Sequence, residues 1–238
     1  LVVDYQFKRT LSTDYKVQNW EAIIKIKAIG GAYHNGFGIE LPCDASEVIS
    51  VTGNQLTQNH LNMATNGVEA AQNKAVIIAF DDAFAIMPPI NGNRLVNAEL
   101  GKGYQDPITL TIQVDFTDDV LNNTQFANSP YNPFIIANMH RGYEVHLAGQ
   151  QPTALATATL FQTADDASEL GTANTYKSIL NHPWALHLSS SFAYPKEGAD
   201  ISTTHLKFKN WAESGGAQFT DWIQNKTGYR HGPFIYQP

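Results

Sequence analysis

Ile108-Thr-Leu-Thr-Ile-Gln-Val-Asp-Phe116 alternates apolar and polar residues without interruption. Side chains of an extended chain point alternately to opposite faces. The pattern therefore turns Ile108, Leu110, Ile112, Val114 and Phe116 toward a core and leaves Thr109, Thr111, Gln113 and Asp115 in water. A helix would scatter the same apolar residues around its circumference. Val3, Tyr5 and Phe7 alternate with Asp4, Gln6 and Lys8 in the same way. So do Trp20, Ala22, Ile24, Ile26 and Ala28 with Glu21, Lys25 and Lys27. With only the polar turn at 12–14 between them, these two runs are expected to be antiparallel neighbours, each with one wet face.

Further strands are expected at 37–42, where Pro42 should stop the strand, at 46–51, and at 75–80. The last run, Ala75-Val-Ile-Ile-Ala-Phe80, is apolar throughout and is expected at the centre of a sheet. Phe134-Ile-Ile-Ala137 and Tyr143-Glu-Val-His-Leu147 suggest a hairpin turning near Arg141-Gly142. Residues 53–75 are rich in Asn, Gln and Gly without clear period, which predicts a surface excursion, and 148–179 read mostly as loop.

Near the C-terminus the pattern changes. Trp184, Leu186 and Leu188 alternate once more, and beyond Pro195 a helical spacing begins. Ser202 or Thr203 is expected to cap a helix carrying Leu206, Phe208, Trp211 and Ala212 inward, closed by Gly215-Gly216. Phe219, Trp222 and Ile223 suggest a second short helix. The three tryptophans here fall on apolar periodicities and are expected in a core. The fold expected is mainly β, an antiparallel sandwich or jelly roll over about 1–195, with short helices over about 200–226 packed on an edge or end of one domain, 1–238.

The chain has 238 residues, a formal charge of -7, 43% hydrophobic residues and one cysteine, Cys43. A core of that size argues against disorder. The absence of a basic cluster argues against nucleic acid or an anionic membrane as partner, since both need cations to displace counterions. No apolar run approaches the ~18 residues of a membrane span, so insertion by this domain is not expected. Leu1 already lies inside a strand pattern, and the chain is expected to be a processed piece of something longer.

Trp184-Ala-Leu, Tyr194-Pro-x-Glu197, Trp211-Ala-x-Ser-Gly-Gly216 and Asp221-Trp222, with Leu1-Val-Val-Asp-Tyr5, Gly36-Phe-Gly-Ile-Glu40, Asn132-Pro-Phe134 and Arg141-Gly-Tyr-Glu-Val-His-Leu147, carry a resemblance. In collinear order over almost the whole chain, the sequence resembles the LruC domain, a bacterial domain of unknown function. The resemblance implies an exported protein, extracellular or associated with the cell surface or outer membrane of a Gram-negative bacterium, with no general enzymatic activity. Relatives carry a Gly-x-Gly-Asp-Asp turn where this chain has Leu160-Phe161-Gln-Thr-Ala-Asp165-Asp166, which retains the acids without the glycines.

Asp165-Asp166, with Ser168 and Glu169 close by, is the best candidate for calcium, a cation needing about 6–8 oxygen ligands. Asp81-Asp82 and Asp118-Asp119 are weaker versions of the same idea. The histidines are dispersed, the closest pairs being His140/His146 and His182/His187, and no spacing suits zinc. Tyr33, Phe37, Tyr104, Tyr131 and Tyr143 lie near loops, where rings stack on sugars. Tyr104, Tyr131, Tyr143 and Glu144 are the expected ligand-binding residues. The expected work is adhesion or recognition of an extracellular polysaccharide or surface protein. A glycan-active enzyme using a carboxylate pair drawn from Glu40, Glu144 and Glu197 is the alternative, and self-association through strand edges a third.

Overall fold

The computed structural model describes residues 1–118 and 120–237. Eight strands follow in order: β1 (Val2–Leu11), β2 (Val17–Ala28), β3 (Gly36–Asp44), β4 (Val48–Thr52), β5 (Lys74–Phe80), β6 (Ile108–Phe116), β7 (Asn132–Ile136) and β8 (Glu144–His146). They form two antiparallel four-stranded sheets, ordered β1-β2-β6-β4 and β5-β3-β7-β8. The alternating runs become the first sheet. Trp20 stands opposite Val114 and Ala22 opposite Ile112, which gives the sheet one continuous apolar face. That face meets Ile39, Leu41, Ile77 and Ala79 of the second sheet in the principal core, and the pair is a β-sandwich.

β5 corrects one expectation. It is an edge strand, not a central one. Its unbroken apolar run has a different cause, because both of its faces are buried. Ala75, Ile77 and Ala79 face the principal core. Val76 and Ile78 pack with Phe134 and Ile136 on the outer face, under Leu56, Leu61 and Met63 of the 53–73 excursion. The excursion also covers the edge: Gln55 N donates to Ala79 O at 2.8 Å and Glu69 N to Val76 O at 2.9 Å.

β3 runs through Pro42 to Asp44 instead of ending there. Its register with β5 shifts between Glu40 and Asp44, so the missing N–H of Pro42 falls at an irregularity of the ladder. Gly38 is required by its neighbours. A Cβ there would lie 2.7 Å from Cζ of Phe134, whose ring crosses the strand at that point.

In the C-terminal part, Asp200 is the cap, not Ser202 or Thr203: its carboxylate accepts from Ser202 N at 2.6 Å. The helical stretch is split into α2 (Ile201–Thr204) and α3 (Phe208–Glu213), α1 being Ala83–Ile86. Gly215 and Gly216, both at positive φ, close α3, and Gly216 N reaches Trp211 O at 2.8 Å. Residues 219–223 form a turn, and 184–188 form no strand. Phe208, Ala212 and Trp222 nevertheless build a second small core with Leu186, Leu188, Phe192 and Trp211. The segment leading to it is tied to the sandwich by Glu197 N to Ala98 O at 2.7 Å and Tyr194 OH to Asn97 O at 3.0 Å.

Candidate functional site

Beside β1 the two sheets do not close on each other. Between Val3 and Tyr5 of β1 and Ile135, Val145 and Leu147 of the second sheet runs a cleft of about 870 Å³, roofed by residues 183–201. Trp184 and Val145 also line a side chamber of about 190 Å³, which is bounded further by Leu160, Phe161, Asp166 and Tyr176. Trp184 thus stands where two concavities meet. Its expectation as a core residue is corrected: it is 46% exposed, whereas Trp222 is 2% exposed. The Trp184-to-Leu188 stretch lines the cleft rather than joining a sheet, with Leu186 and Leu188 half-buried and Trp184 and His187 exposed.

Trp184 is fixed by its polar edge. Its indole Nε1 donates to Asp166 Oδ1 at 2.8 Å, and the same carboxylate accepts from Ser168 Oγ at 2.8 Å and from Gln162 N at 2.9 Å. Burial pushes the Asp166 acidity down in strength, but the donors from Gln162, Trp184 and Ser168 outweigh it and hold the pKa below the ordinary aspartate value. Asp166 is the organiser of the 162–168 turn and the anchor of the ring. Asp165 is exposed beside it. Among the described residues, no three His, Cys, Asp or Glu side chains converge to hold a metal.

Tyr176 is 3% exposed, lines the side chamber, and has a hydroxyl without a hydrogen-bond partner. On the β1 side, Tyr5 OH meets His187 Nδ1 at 2.7 Å with the two rings stacked at 5.6 Å. Burial pushes the Tyr5 phenol up to about 12 and lowers the His187 imidazole. At neutral pH the cleft lining therefore offers a neutral phenol and imidazole, with Ser189, Ser190 and Ser191 adding hydroxyls.

Behind the side chamber lies a buried ionic cluster. Arg141 bonds both Glu69 and Glu144, whose side chains are 1% and 0% exposed, and its guanidinium lies 5.4 Å from the Phe134 ring centre. Glu144 also accepts from His146 Nε2 at 2.8 Å and Thr153 N at 2.9 Å. Burial alone would raise the Glu144 pKa; the bonds from His146, Arg141 and Thr153 overcome it and bring it down to about 2. His146 stacks on Phe134 at 4.8 Å, and its other nitrogen lies 2.6 Å from the side-chain amide of Asn132. Gly38, Phe134, His146 and Tyr176 so form successive layers from β3 to the chamber wall.

The four expected ligand-binding residues do not converge. Tyr131, at 8% exposure, packs in the core against Phe7, Trp20 and Phe126 and lines neither concavity. Glu144 reaches the chamber wall with its carboxylate already engaged. Tyr143, stacked on His140 at 4.9 Å, and Tyr104 are both exposed but line neither concavity. Phe37 is core and Tyr33 is exposed. Of the other acids, Asp81 holds the 53–73 excursion by accepting from Thr57 N and Gln58 N at 2.8 and 2.7 Å. Asp82 caps α1 through Phe84 N and bonds His34 at 2.8 Å. Asp118 is exposed, and Asp119 lies outside the described residues. Glu197 lines the cleft and accepts from Gly31 N at 2.9 Å, and Glu40 is half-buried with its pKa raised by burial.

The model of the Domain of unknown function (DUF4842) matches residues 16–223. The chain belongs to this family. The matched span runs from the start of β2 through the second core, so in this DUF4842 domain the cleft roof, the Arg141 cluster and Trp184 all lie within it. No curated protein and no solved structure matches the chain.

Proposed function

We propose that this DUF4842 domain is a non-catalytic recognition module of the LruC type, exported to the surface or surroundings of a Gram-negative bacterium. There it grips an extracellular polysaccharide in the cleft beside β1. The observation that carries the reading is Trp184, a half-exposed ring locked by Asp166 at the junction of a large cleft and a small chamber. A flat apolar ring supplies a stacking surface for the C–H face of a sugar. The serines of 189–191 supply partners for sugar hydroxyls. A cleft of about 870 Å³ falls in the range of small-ligand sites and suits a few sugar units of a longer chain.

Binding rather than hydrolysis is favoured by the state of the acids. A glycosidase needs one protonated carboxyl and one free carboxylate facing each other across the bond. Glu144, held at about 2 and saturated with donors, is neither a proton donor at neutral pH nor a free nucleophile. Calcium enters the reading only as a condition to be tested, through the turn that Asp166 organises.

The test is titration calorimetry against a panel of bacterial and algal polysaccharides, with calcium and with chelator, for the natural sequence and Trp184→Ala. Saturable binding without product release, weakened about tenfold or more by Trp184→Ala, is expected. Loss of binding in chelator, restored by calcium, would add the cation. If no polysaccharide binds, or the variant binds as tightly as the natural chain, the proposal fails and surface proteins become the partners to screen.

A further inference from the structure

β1 ends the first sheet, and among the described residues its backbone is bonded only to β2. Val2 to Tyr5 front the cleft, and the cleft roof is hydrogen-bonded to this strand through the Tyr5 side chain and not through its backbone. Its inward residues Val3, Tyr5 and Phe7 are only half-buried, while Ala22, Ile24 and Ile26 of the neighbouring strand are fully buried. The sandwich thus stops one strand short of covering this side. A long, unpaired edge of this kind is a template for another strand, and proteins ordinarily guard such edges with charges, prolines, bulges or a covering segment.

Here the charges are of both signs and symmetrically placed. Asp4-Tyr5-Gln6-Phe7-Lys8 reads acid, aromatic, amide, aromatic, base. Laid antiparallel against a second copy and centred on Gln6, the strand places Asp4 opposite the partner's Lys8 and Lys8 opposite the partner's Asp4. Tyr5 and Phe7 then face each other twice on the inward side. Opposite charges and aromatic pairs are the favourable cross-strand neighbours of an antiparallel ladder. A slip of two residues in either direction loses both ion pairs, so the pattern specifies one register. Asp4 and Lys8 are available, with side chains 60% and 55% exposed, though each also meets a charge of its own chain, Lys27 at 3.2 Å and Glu21 at 2.9 Å. Arg9 does not disturb the pairing, because its guanidinium is turned to the carbonyls of Asn123 and Phe126.

We infer that the occupant of this edge is a second copy of the chain, joined β1 to β1 about a two-fold axis at Gln6 into one eight-stranded sheet. The contact is isologous and closes at two copies.

Sedimentation equilibrium of the 238-residue chain over a concentration series tests this, with Asp4→Lys, Lys8→Asp and the double exchange compared. A reversible dimer is expected for the natural sequence. Each single reversal sets like charges opposite each other at both ends and should weaken it about tenfold or more. The double exchange restores opposite charges between copies, though not to Lys27 and Glu21, and should return the affinity to within about threefold of the natural one. Circular dichroism verifies that all variants fold. A monomer throughout the series overturns the inference. So does a dimer indifferent to the charges, or a double exchange no tighter than the singles.

Discussion

Replacing Arg141 by Met removes the cation between two buried carboxylates while retaining much of the side chain's packing on Phe134. Glu69 would retain Gln72 Nε2 at 2.8 Å, and Glu144 would retain His146 and Thr153. Breaking one partner out of a buried ion pair ordinarily costs about 3–5 kcal/mol, because the charge left behind is uncompensated. The Glu144 pKa gives a second measure. Its drop from 4.5 to about 2 corresponds to about 3 kcal/mol of stabilisation by the folded surroundings. A folded pKa below the unfolded one contributes stability that is complete above 4.5 and is lost as the pH falls toward 2. Without Arg141, burial is less fully offset, the Glu144 pKa rises, and protonation relieves the variant in acid. Urea unfolding should therefore show Arg141→Met about 3–5 kcal/mol less stable at neutral pH, with the gap narrowing near pH ~3. Replacing Glu69 and Glu144 by Leu in the same variant should recover part of the loss, since an apolar set of similar volume needs no counterion. A loss below about 1 kcal/mol at neutral pH, or one that does not shrink on acidification, would refute the assignment of the cluster as a clamp.

Gly38→Ala should destabilise by about 1–3 kcal/mol in the same assay, because its methyl meets Phe134 and Ile78; adding Phe134→Leu should relieve part of that loss. Cys43, 2% exposed and pushed up to about 12 chiefly by burial, should resist a thiol reagent at neutral pH until denaturant opens the core. Asp166→Ala should leave the sandwich folded but free the Trp184 ring and the 162–168 turn, weakening polysaccharide binding in the calorimetric titration about as much as Trp184→Ala. His146, whose pKa burial lowers below 6.5, adds to acid lability: the natural chain should lose stability as the pH falls through that value, and His146→Gln should flatten this part of the curve.

The strands with one wet face were legible because their alternation records burial directly, as in Ile108–Phe116 and the β1–β2 pair. β5 was legible as a strand but not as an edge. An apolar run says that both faces are covered, and it cannot say that the cover on one side is a polar-looking excursion. That excursion also hid Glu69, an acid in an Asn- and Gln-rich stretch that becomes buried only because Arg141 lies 72 residues away in sequence and beside it in space. Tyr131 and Trp184 exchanged their expected places for a related reason. Proximity to a loop does not fix which way a ring turns, and Trp184 sits on an apolar rhythm that belongs to no strand. The resemblance pointed to a bacterial domain of unknown function, while the cleft comes from where the two sheets part, a distance between elements that no local pattern records.

The tryptophans are distributed among the parts of this molecule in a way an experimenter can exploit. Trp20 reports from the dry interior of the sandwich, Trp211 and Trp222 from the small C-terminal core, and Trp184 from the half-wet mouth of the cleft. Their intrinsic fluorescence should differ in emission wavelength and in access to a soluble quencher. Chains retaining one indole at a time would then show optically, without an added label, whether the small core melts with the sandwich or ahead of it.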